Sequence, residues 1–152
     1  MATVYTDGST DRNGSENAAG GAGVWFGEED PRNLSEPYGG GDTPTNQRCE
    51  LWAIRRALET APERPLRILT DSKYCIGCLT VWCKKWEQNG WKTSANRPVK
   101  NANLIRSVLA LMGGQDVGIE YVKAHANIRG NEEADRLANT GRANFTQHFR
   151  LE

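Results

Sequence analysis

Four acidic residues lie where short structural elements should begin or end, and they constrain the fold more than any other feature of the chain. Asp7 and Asp71 each close a strand-like run of apolar residues. Glu50 and Asp135 lie near the starts of two helical stretches, on the sides that carry apolar residues. A carboxylate on a core-facing position is costly unless it is paired or bound to a metal. The fold is therefore expected to gather the four carboxylates around divalent cations.

The spacing of apolar residues predicts a single α/β domain. Three strands open the chain, and the short links between them favour antiparallel pairing. Helices and strands then alternate, which favours parallel strands joined by crossover helices. The predicted strands are 2–6, 23–27, 33–38, 66–70 and 117–122, and the predicted helices are 46–61, 72–89 with a break near Gly77 and Cys78, 101–112 and 131–141. The expected architecture is a mixed five-stranded sheet, three antiparallel strands followed by two parallel ones, flanked by helices.

Length and composition agree with one globular domain. The chain has 152 residues, of which 38% are hydrophobic and 25% charged, and its formal net charge is zero. No apolar run is long enough to span a bilayer and no signal-peptide pattern opens the chain, so we expect an intracellular protein that does not bind membranes. Residues 144–152 are expected to form a C-terminal tail outside the domain, in which Leu151 and Glu152 resemble residues added by cloning.

The four cysteines raise the alternatives of a zinc site or disulfide bonds. Cys75 and Cys78 have CxxC spacing, but no second CxxC or CxxH pair follows. Cys83 lies in the same predicted helix, where thiols commonly fill apolar space. We therefore expect all four thiols, including Cys49, to be free and structural in a reducing compartment.

Clustered carboxylates need cations to offset their mutual repulsion. Two like charges about 4 Å apart repel by about 4 kcal/mol at an effective dielectric constant near 20. Oxygen-only ligands favour Mg²⁺, Mn²⁺ or Ca²⁺ over zinc, and Mg²⁺ commonly completes its shell with substrate phosphate and water. Two such ions would clamp the attacking and leaving oxygens of an in-line displacement. The acids therefore indicate metal-dependent phosphodiester chemistry.

Four sequence blocks around these acids resemble type 1 ribonuclease H. They are YTDGS at 5–9, TNQRCEL at 45–51, TDSKY at 70–74 and HANIRGNEEAD at 125–135. The resemblance covers essentially the whole chain, in order and with suitable spacing. It implies a ribonuclease H-like fold with residues 1–143 as the catalytic domain, acting as a monomer. It also implies an endonuclease that cleaves the RNA strand of RNA–DNA hybrids, leaving 5′-phosphate and 3′-hydroxyl ends.

The resemblance assigns a role to each residue of the predicted active site. Asp7 would bridge two Mg²⁺ ions, for which Mn²⁺ can substitute. Asp135 would complete the ion on the nucleophile side, while Glu50 and Asp71 would hold the ion at the leaving group. His125 lies ten residues before Asp135 on a turn rich in Asn and Gly, and it would assist proton transfer or product departure.

Substrate contacts of the family also have counterparts in this chain. The resemblance places polar contacts in the minor groove of the hybrid, where the 2′-hydroxyl distinguishes RNA from DNA. The stretch 84–100 carries five basic residues and one acid, a net of +4, and it resembles the basic protrusion that follows the DNA strand. The minor-groove candidates are Asn13, Asn46 and Gln47; the candidates on the DNA side are Trp82, Lys84, Lys85 and Trp86, with Thr45, Ser94 and Asn101 at the DNA backbone.

Simpler structural explanations stay open for several of these residues. They are an ion pair of Glu50 with Arg48 or Arg55, a helix cap at Asp71, an ion pair of Asp135 with Arg129 or Arg136, a loop hydrogen bond at His125, and a core stripe for Trp82 and Trp86.

Two other functions are compatible with the same fold. One is a DNA-cutting relative among transposases, integrases or resolvases, against which the Asn46–Gln47 pair and the turn after His125 argue. The other is a non-catalytic hybrid-binding domain, whose sequence sign would be the loss of an acid. All four acids are present.

Overall fold

A computed structural model describes residues 2–150, with side chains through Phe145, and contains the predicted mixed sheet of five strands. The spatial order is β3-β2-β1-β4-β5. The first three strands pair antiparallel, whereas β1 with β4 and β4 with β5 pair parallel. The strands are β1 (Ala2–Asp11), β2 (Ala19–Trp25), β3 (Leu34–Pro37), β4 (Leu66–Thr70) and β5 (Val117–Tyr121).

Within residues 2–150, five α-helices and one π-helical segment flank the sheet. The α-helices are α1 (Asn46–Thr60), α2 (Lys73–Ile76), α3 (Cys83–Asn89), α4 (Ala102–Met112) and α5 (Arg129–Arg150). The π-helical segment, Gly77–Trp82, joins α2 to α3 and coincides with the break predicted near Gly77 and Cys78. It widens the helical turn without ending the helical run.

The hairpin of β1 and β2 is longer than the sequence indicated. Only residues 2–6 and 23–27 were predicted to be strands here, but the ladder continues to the pair of Asp11 with Ala19. Asp7 therefore lies inside β1 and does not close it, so that prediction was wrong. Gly8, Ser9 and Thr10 do not resemble strand residues, because one is a glycine and two carry hydroxyl groups. Their backbone groups nevertheless pair with β2, because a sheet needs only main-chain partners.

Helix α5 is also longer than predicted. Gly141 was expected to end it, but the helix continues to Arg150. Gly141 is buried against the backbone of Glu36, so its missing side chain serves close packing there. Phe145, one turn later, is 9% exposed and belongs to a small apolar cluster. Leu151 and Glu152 lie outside the described residues.

Alternate residues of β1 face opposite sides of the sheet, and a helix covers each side. Val4 shares the main core with Leu51 and Ile54 of α1. On the other face the ring of Tyr5 lies against Gly130 of α5. The small residues of β2, whose sequence is AGGAGVW, let α5 lie close to the sheet. Side chains from both helices can therefore reach the region around the middle of β1.

The remaining general expectations concern thiols and membranes. All four cysteines are free and buried, as predicted. None of the helices in the described part of the chain combines the length and apolar character needed to cross a bilayer.

Candidate active site

The parallel pairing of β1 with β4 sets Asp7 beside Asp71. The last Cα pair in this ladder is Thr6 with Thr70. Each aspartate is the next residue along its strand direction, so both carboxylates emerge where the parallel ladder ends. Sites in sheets of this kind form where parallel strands end. This register explains why Asp7 belongs to the site even though β1 itself continues.

Glu50 reaches the same place because Gly8 lets α1 come close to β1. A β-carbon on Gly8 would lie 2.5 Å from the backbone nitrogen of Glu50, which no side chain tolerates. Thr45 begins the helix, since its hydroxyl accepts a hydrogen bond from the backbone N–H of Arg48 at 3.1 Å. Glu50 therefore lies in the second turn of α1, against Gly8, the residue that follows Asp7.

Asp135 enters from α5, on the opposite face of the sheet. A hydrogen-bonded chain ties its surroundings to β1: Ser9 donates to Asn139 at 2.6 Å, and Asn139 donates to Asp135 at 3.4 Å. Arg142 donates to the Ser9 hydroxyl at 2.9 Å. These contacts hold the middle of α5 in a fixed register along β1.

The carboxylates line one pocket of about 170 Å³. One oxygen each from Asp7, Glu50 and Asp71 lies within 4.8 Å of the others. A larger cavity of about 450 Å³, between the β1–β2 turn and residues 41–44, shares none of these side chains. The pocket lining consists of Asp7, Gly8, Glu50, Asp71, His125, Asn131, Glu132 and Asp135.

Burial and mutual repulsion raise the pKa values of the clustered acids. Burial, followed by the charges of Asp71 and Glu50, raises the pKa of Asp7 to about 9. Burial and the charge of Asp71 raise the pKa of Glu50 to about 8. Burial also raises the pKa of Asp71, an effect that a hydrogen bond from Asn131 partly offsets. Without a cation, Asp7 and Glu50 therefore hold protons at neutral pH.

The donor set suits a hard divalent cation. Glu50 Oε2 and Asn131 Oδ1 are buried and have no hydrogen-bond partner within the described residues, so each has a lone pair free for a ligand. Buried polar atoms without partners are rare and call for an explanation. The oxygen atoms gathered here are those that Mg²⁺, Mn²⁺ and Ca²⁺ prefer.

The competing ion pairs considered for the acids are made elsewhere. Arg48 Nε lies 3.3 Å from Asp42, and Arg55 Nε lies 3.7 Å from Glu59, so neither arginine is taken up by Glu50. On α5, the corresponding pairs are Arg129 with Glu28 and Arg136 with Glu133.

The cap of α2 comes from Ser72, whose hydroxyl accepts from the backbone N–H of Cys75 at 3.1 Å. Asp71 is therefore not needed as the cap. His125 lies on the loop before α5 with a positive φ of 56° and lines the acidic pocket.

Asn131 is a site residue that the sequence analysis missed. It is 3% exposed, lines the acidic pocket and lies one helical turn before Asp135. That four-residue spacing places both side chains on one face of α5 and was a usable signal.

Several predicted substrate residues gather around the start of α1. The Asn13 side chain accepts from the backbone N–H of Asn46 at 2.7 Å, which ties the β1–β2 turn to the helix. Asn101 accepts from Arg48 Nε at 3.0 Å and donates to the Tyr74 hydroxyl at 3.1 Å. Gln47 is exposed beside Asn46. No substrate-binding role was predicted for Arg48 or Tyr74, although both lie within the recognised blocks.

An aromatic row continues from Tyr74 towards the basic segment. Ring centroids are 6.5 Å apart for Tyr74 and Trp82, 6.2 Å for Trp82 and Trp86, and 5.7 Å for Trp86 and Trp91. Trp82 is 45% exposed, whereas Trp86 is partly buried against the core. Packing in the core therefore accounts for part of the Trp86 side chain, but not for the position of Trp82. Lys84 and Lys85, which lie between Trp82 and Trp86 along the chain, are exposed, and so is Ser94.

Comparison with known proteins identifies the family. The model of the RNase H family matches residues 1–143. The chain belongs to the RNase H family. A ribonuclease H of Schizosaccharomyces pombe is 49% identical over 138 residues, covering 91% of this chain and 52% of the relative. Ribonuclease HI of Neisseria meningitidis is 40% identical over 146 residues, covering 94% of this chain and 96% of the relative.

The fold agrees with the family assignment. The solved structure of LC9-RNase H1, described as a type 1 RNase H with the type 2 active-site motif, superposes with a TM-score of 0.73 at 28% identity. That match covers 95% of this chain and 72% of the other. The chain spans about half the length of several curated RNase H relatives that it matches, including human ribonuclease H1.

Proposed function

We propose that this chain is a metal-dependent endonuclease that hydrolyses the RNA strand of RNA–DNA hybrids, leaving 5′-phosphate and 3′-hydroxyl ends. One observation carries the proposal: in a chain of the RNase H family, the buried carboxylate of Asp7 and the half-buried carboxylates of Glu50 and Asp71 place oxygens within 4.8 Å of one another. Such a cluster is stable in its ionised form only with bound cations.

The four acids would hold two Mg²⁺ ions, for which Mn²⁺ can substitute. When bound, these ions would activate a water molecule and neutralise charge at the leaving oxygen. Asp7, the most enclosed of the acids, would be the shared ligand. Asn131 would orient Asp71 through their hydrogen bond, and Asn139 would orient Asp135. His125, on the exposed rim of the pocket, would take part in proton transfer or product release.

Hybrid binding would use the surface between the start of α1 and the basic segment. Asn13, Asn46 and Gln47 are proposed to contact the minor groove. A second set of residues is proposed to face the DNA strand, where it would supply base stacking and phosphate contacts. Binding through these contacts would depend strongly on salt concentration. The set comprises Trp82, Trp86, Lys84, Lys85, Thr45, Ser94 and Asn101.

The state and location of the protein are part of the same proposal. We infer a monomer, because every acid of the site comes from a single chain. We infer an intracellular location, since four free thiols suit a reducing compartment.

A cleavage assay on three duplexes tests the proposed activity. An end-labelled RNA–DNA hybrid, a duplex DNA and a duplex RNA are each incubated with the protein and Mg²⁺. We expect cleavage of the RNA strand of the hybrid alone, and its loss on addition of a chelator. Cleavage of duplex DNA would support a nuclease of the transposase or integrase type. Hybrid binding that ignores the chelator and never leads to cleavage would support a binding domain.

Substitution of one acid tests the site itself. Asp71→Asn removes a charge with little change in volume, so hybrid binding should persist while the cleavage rate falls by more than about a hundredfold. Asp116→Asn is the matched control, because Asp116 is an exposed aspartate just before β5 and outside the pocket. Full activity of Asp71→Asn would refute its proposed role as a ligand.

A further inference from the structure

The side chain of Asn101 is held from two sides. Arg48 Nε donates to its Oδ1 at 3.0 Å, and its Nδ2 donates to the Tyr74 hydroxyl at 3.1 Å. Asn101 itself has a left-handed backbone with φ of 63° and makes no capping hydrogen bond to α4, which begins at the next residue. Its amide is thus committed to Arg48 and Tyr74 rather than to its own helix.

The chemistry of the guanidinium group fixes which way this amide points. An arginine side chain donates hydrogen bonds and accepts none, so only the oxygen of the Asn101 amide can face Arg48. The NH₂ group must then lie on the other side, where one N–H meets Tyr74. The second N–H is unused within the described residues. Asn101 therefore offers its second N–H as a donor for an outside ligand, while its oxygen is turned towards Arg48.

Thr45 has the same polarity for a different reason. Its hydroxyl oxygen accepts the backbone N–H of Arg48 at 3.1 Å, and its O–H, which is unused within the described residues, can donate to a ligand. Two of the three residues proposed to contact the DNA backbone, Thr45 and Asn101, are thus hydrogen-bonded to Arg48, Thr45 to its main chain and Asn101 to its side chain. Phosphate oxygens only accept hydrogen bonds, so a surface of donors suits them.

Arg48 is itself firmly held. Its Nη1 donates to the carbonyl oxygen of Thr43 at 2.6 Å, and its Nε lies 3.3 Å from Asp42. Its side chain is only 21% exposed, so most of it is covered by its neighbours.

We propose that Arg48 is a positioning residue that sets the orientation of the Asn101 amide, so that Asn101 and Thr45 present donors to a backbone phosphate of the DNA strand. This inference rests on the proposed function, because it specifies how the hybrid is held. Tyr74 supports the same orientation from the other side of the amide.

A double-mutant cycle in hybrid binding tests the proposal. Binding of a labelled hybrid is measured without divalent metal for wild type, Arg48→Gln, Asn101→Ala and the double variant. Arg48→Gln should raise Kd roughly five- to tenfold, the usual range for losing one well-made hydrogen bond. The double variant should bind no more weakly than Asn101→Ala, because Arg48 acts through Asn101. Additive losses in Kd would overturn the proposal.

A chemically altered hybrid locates the contact. A single neutral methylphosphonate linkage is moved along the DNA strand and, in a second series, along the RNA strand. Wild type should lose affinity at one DNA-strand position, and Arg48→Gln should be insensitive to the linkage at that position. Equal sensitivity of the two proteins, or a sensitive position in the RNA strand alone, would contradict the proposal.

Controls separate this role from a general loss of structure. Arg55 lies on the same helix and pairs with Glu59. Arg55→Gln therefore removes an arginine of α1 that does not contact Asn101, and it should leave Kd for the hybrid unchanged. Arg48→Gln should raise KM while keeping kcat within about twofold, since the acids are untouched. If Arg48→Gln does not fold, Tyr74→Phe takes its place in the same cycle with Asn101→Ala, because it removes only the hydroxyl that accepts from Asn101.

The outcomes also separate this inference from the proposed function. Absence of RNA cleavage by wild type would reject the nuclease, while the binding cycle would still report on Arg48. Normal cleavage by wild type together with an unchanged Kd in Arg48→Gln would reject only the role of Arg48.

Discussion

Asp7 is the residue whose surroundings most restrict what the site can do. It is 5% exposed, and oxygens of Glu50 and Asp71 lie within 4.8 Å of its own. At that separation each pair of negative charges would repel by about 3.5 kcal/mol or more at an effective dielectric constant near 20. The apo site relieves this repulsion by keeping protons, and a divalent cation would relieve it by replacing them.

Binding of Mg²⁺ should therefore release protons and strengthen as pH rises. The pKa values of Asp7 and Glu50 are raised to about 9 and about 8, so both groups are largely protonated at pH 7 and must ionise to bind the ion. Between pH 6 and pH 9 the Kd for Mg²⁺ should fall, by up to about tenfold per pH unit for each proton released. Calorimetric titration in buffers of different ionisation enthalpy measures the release directly.

Asp7→Asn is the informative variant for this proton release. It cannot ionise at the substituted position, so it should release fewer protons on binding Mg²⁺ and show a shallower pH dependence. Glu133→Gln is the control, because Glu133 pairs with Arg136 on α5 and does not line the pocket. A Kd for Mg²⁺ that is the same at pH 6 and pH 9 in wild type would contradict the raised pKa values.

Among single residues, the acids could be predicted from the sequence, whereas the residues that orient site side chains were missed. An ionisable side chain in an apolar pattern is conspicuous, because burial of its charge is costly. Tyr74 gives no such signal, and Asn131 gives only its four-residue spacing from Asp135, since amides and phenols are common on partly buried helix faces. Arg48 stood in a recognised block, but only the folded chain places it against Asn101, 53 residues away.

Among the elements, the π-helical segment has the clearest consequence for binding. A π-helix repeats its contacts at five residues, and Trp82 is five residues after Gly77. A β-carbon added to Gly77 would lie 2.5 Å from ring atoms of Trp82. The indole therefore lies against the bare backbone of Gly77, which fixes its position while leaving it 45% exposed.

Gly77→Ala should displace Trp82 and weaken hybrid binding. The backbone of Gly77 is right-handed helical, with φ of −59°, so alanine is allowed there and the clash with the ring is the main disturbance. We expect Kd for the hybrid to rise roughly five- to tenfold, within the range for losing one aromatic stacking contact. Trp82→Ala should give a similar Kd, and the double variant should be no worse than Trp82→Ala.

The neighbouring residue supplies the control for this prediction. Val81 is 61% exposed, so Val81→Ala trims a side chain of the same segment without touching the indole. It should leave Kd unchanged. Unchanged binding by Gly77→Ala would show that the position of Trp82 does not matter for the hybrid.

Element boundaries were predicted best where one signal acted alone. β4 was predicted at 66–70 and is found at Leu66–Thr70, because a short apolar run between polar segments allows one interpretation. β1 was predicted to end at Thr6, since glycine and hydroxyl residues follow it. Those residues stay in the strand because both β2 and α1 need a close approach there, which is a tertiary requirement that local pattern does not contain.

For the whole molecule, the sheet order explains how distant residues meet. β1 lies at the centre, with antiparallel β2 on one side and parallel β4 on the other. Asp7 and Asp71 come from adjacent strands, while α1 and α5 bring Glu50 and Asp135 from opposite faces. The alternation of strands and helices was enough to predict this architecture, because parallel neighbours require crossover helices. The extent of α5 was not predictable in the same way, since Gly141 ordinarily signals a helix end.

The continuation of α5 places a stabilising contact beyond the predicted boundary at residue 143. Phe145 is 9% exposed and belongs to one apolar cluster with Ala19 of β2, with Cys49 of α1 and with Tyr38, which follows β3. It therefore joins the last helix to both the hairpin and the helix that carries Glu50. We propose that the folding unit includes this turn of α5, although the family match ends at residue 143.

Phe145→Ala should accordingly lower the free energy of unfolding by about 3 kcal/mol, the lower end of the range for truncating a buried phenylalanine. Denaturant titration measures this loss, and Asn144→Ala, an exposed change in the same turn, should leave stability within about 0.5 kcal/mol of wild type. A chain ending at Ala143 should lose at least as much as Phe145→Ala, because it lacks the same ring. If that shortened chain were as stable as the full one, the domain would end at residue 143 as the sequence pattern indicated, and the contact of Phe145 with the hairpin would contribute nothing to folding.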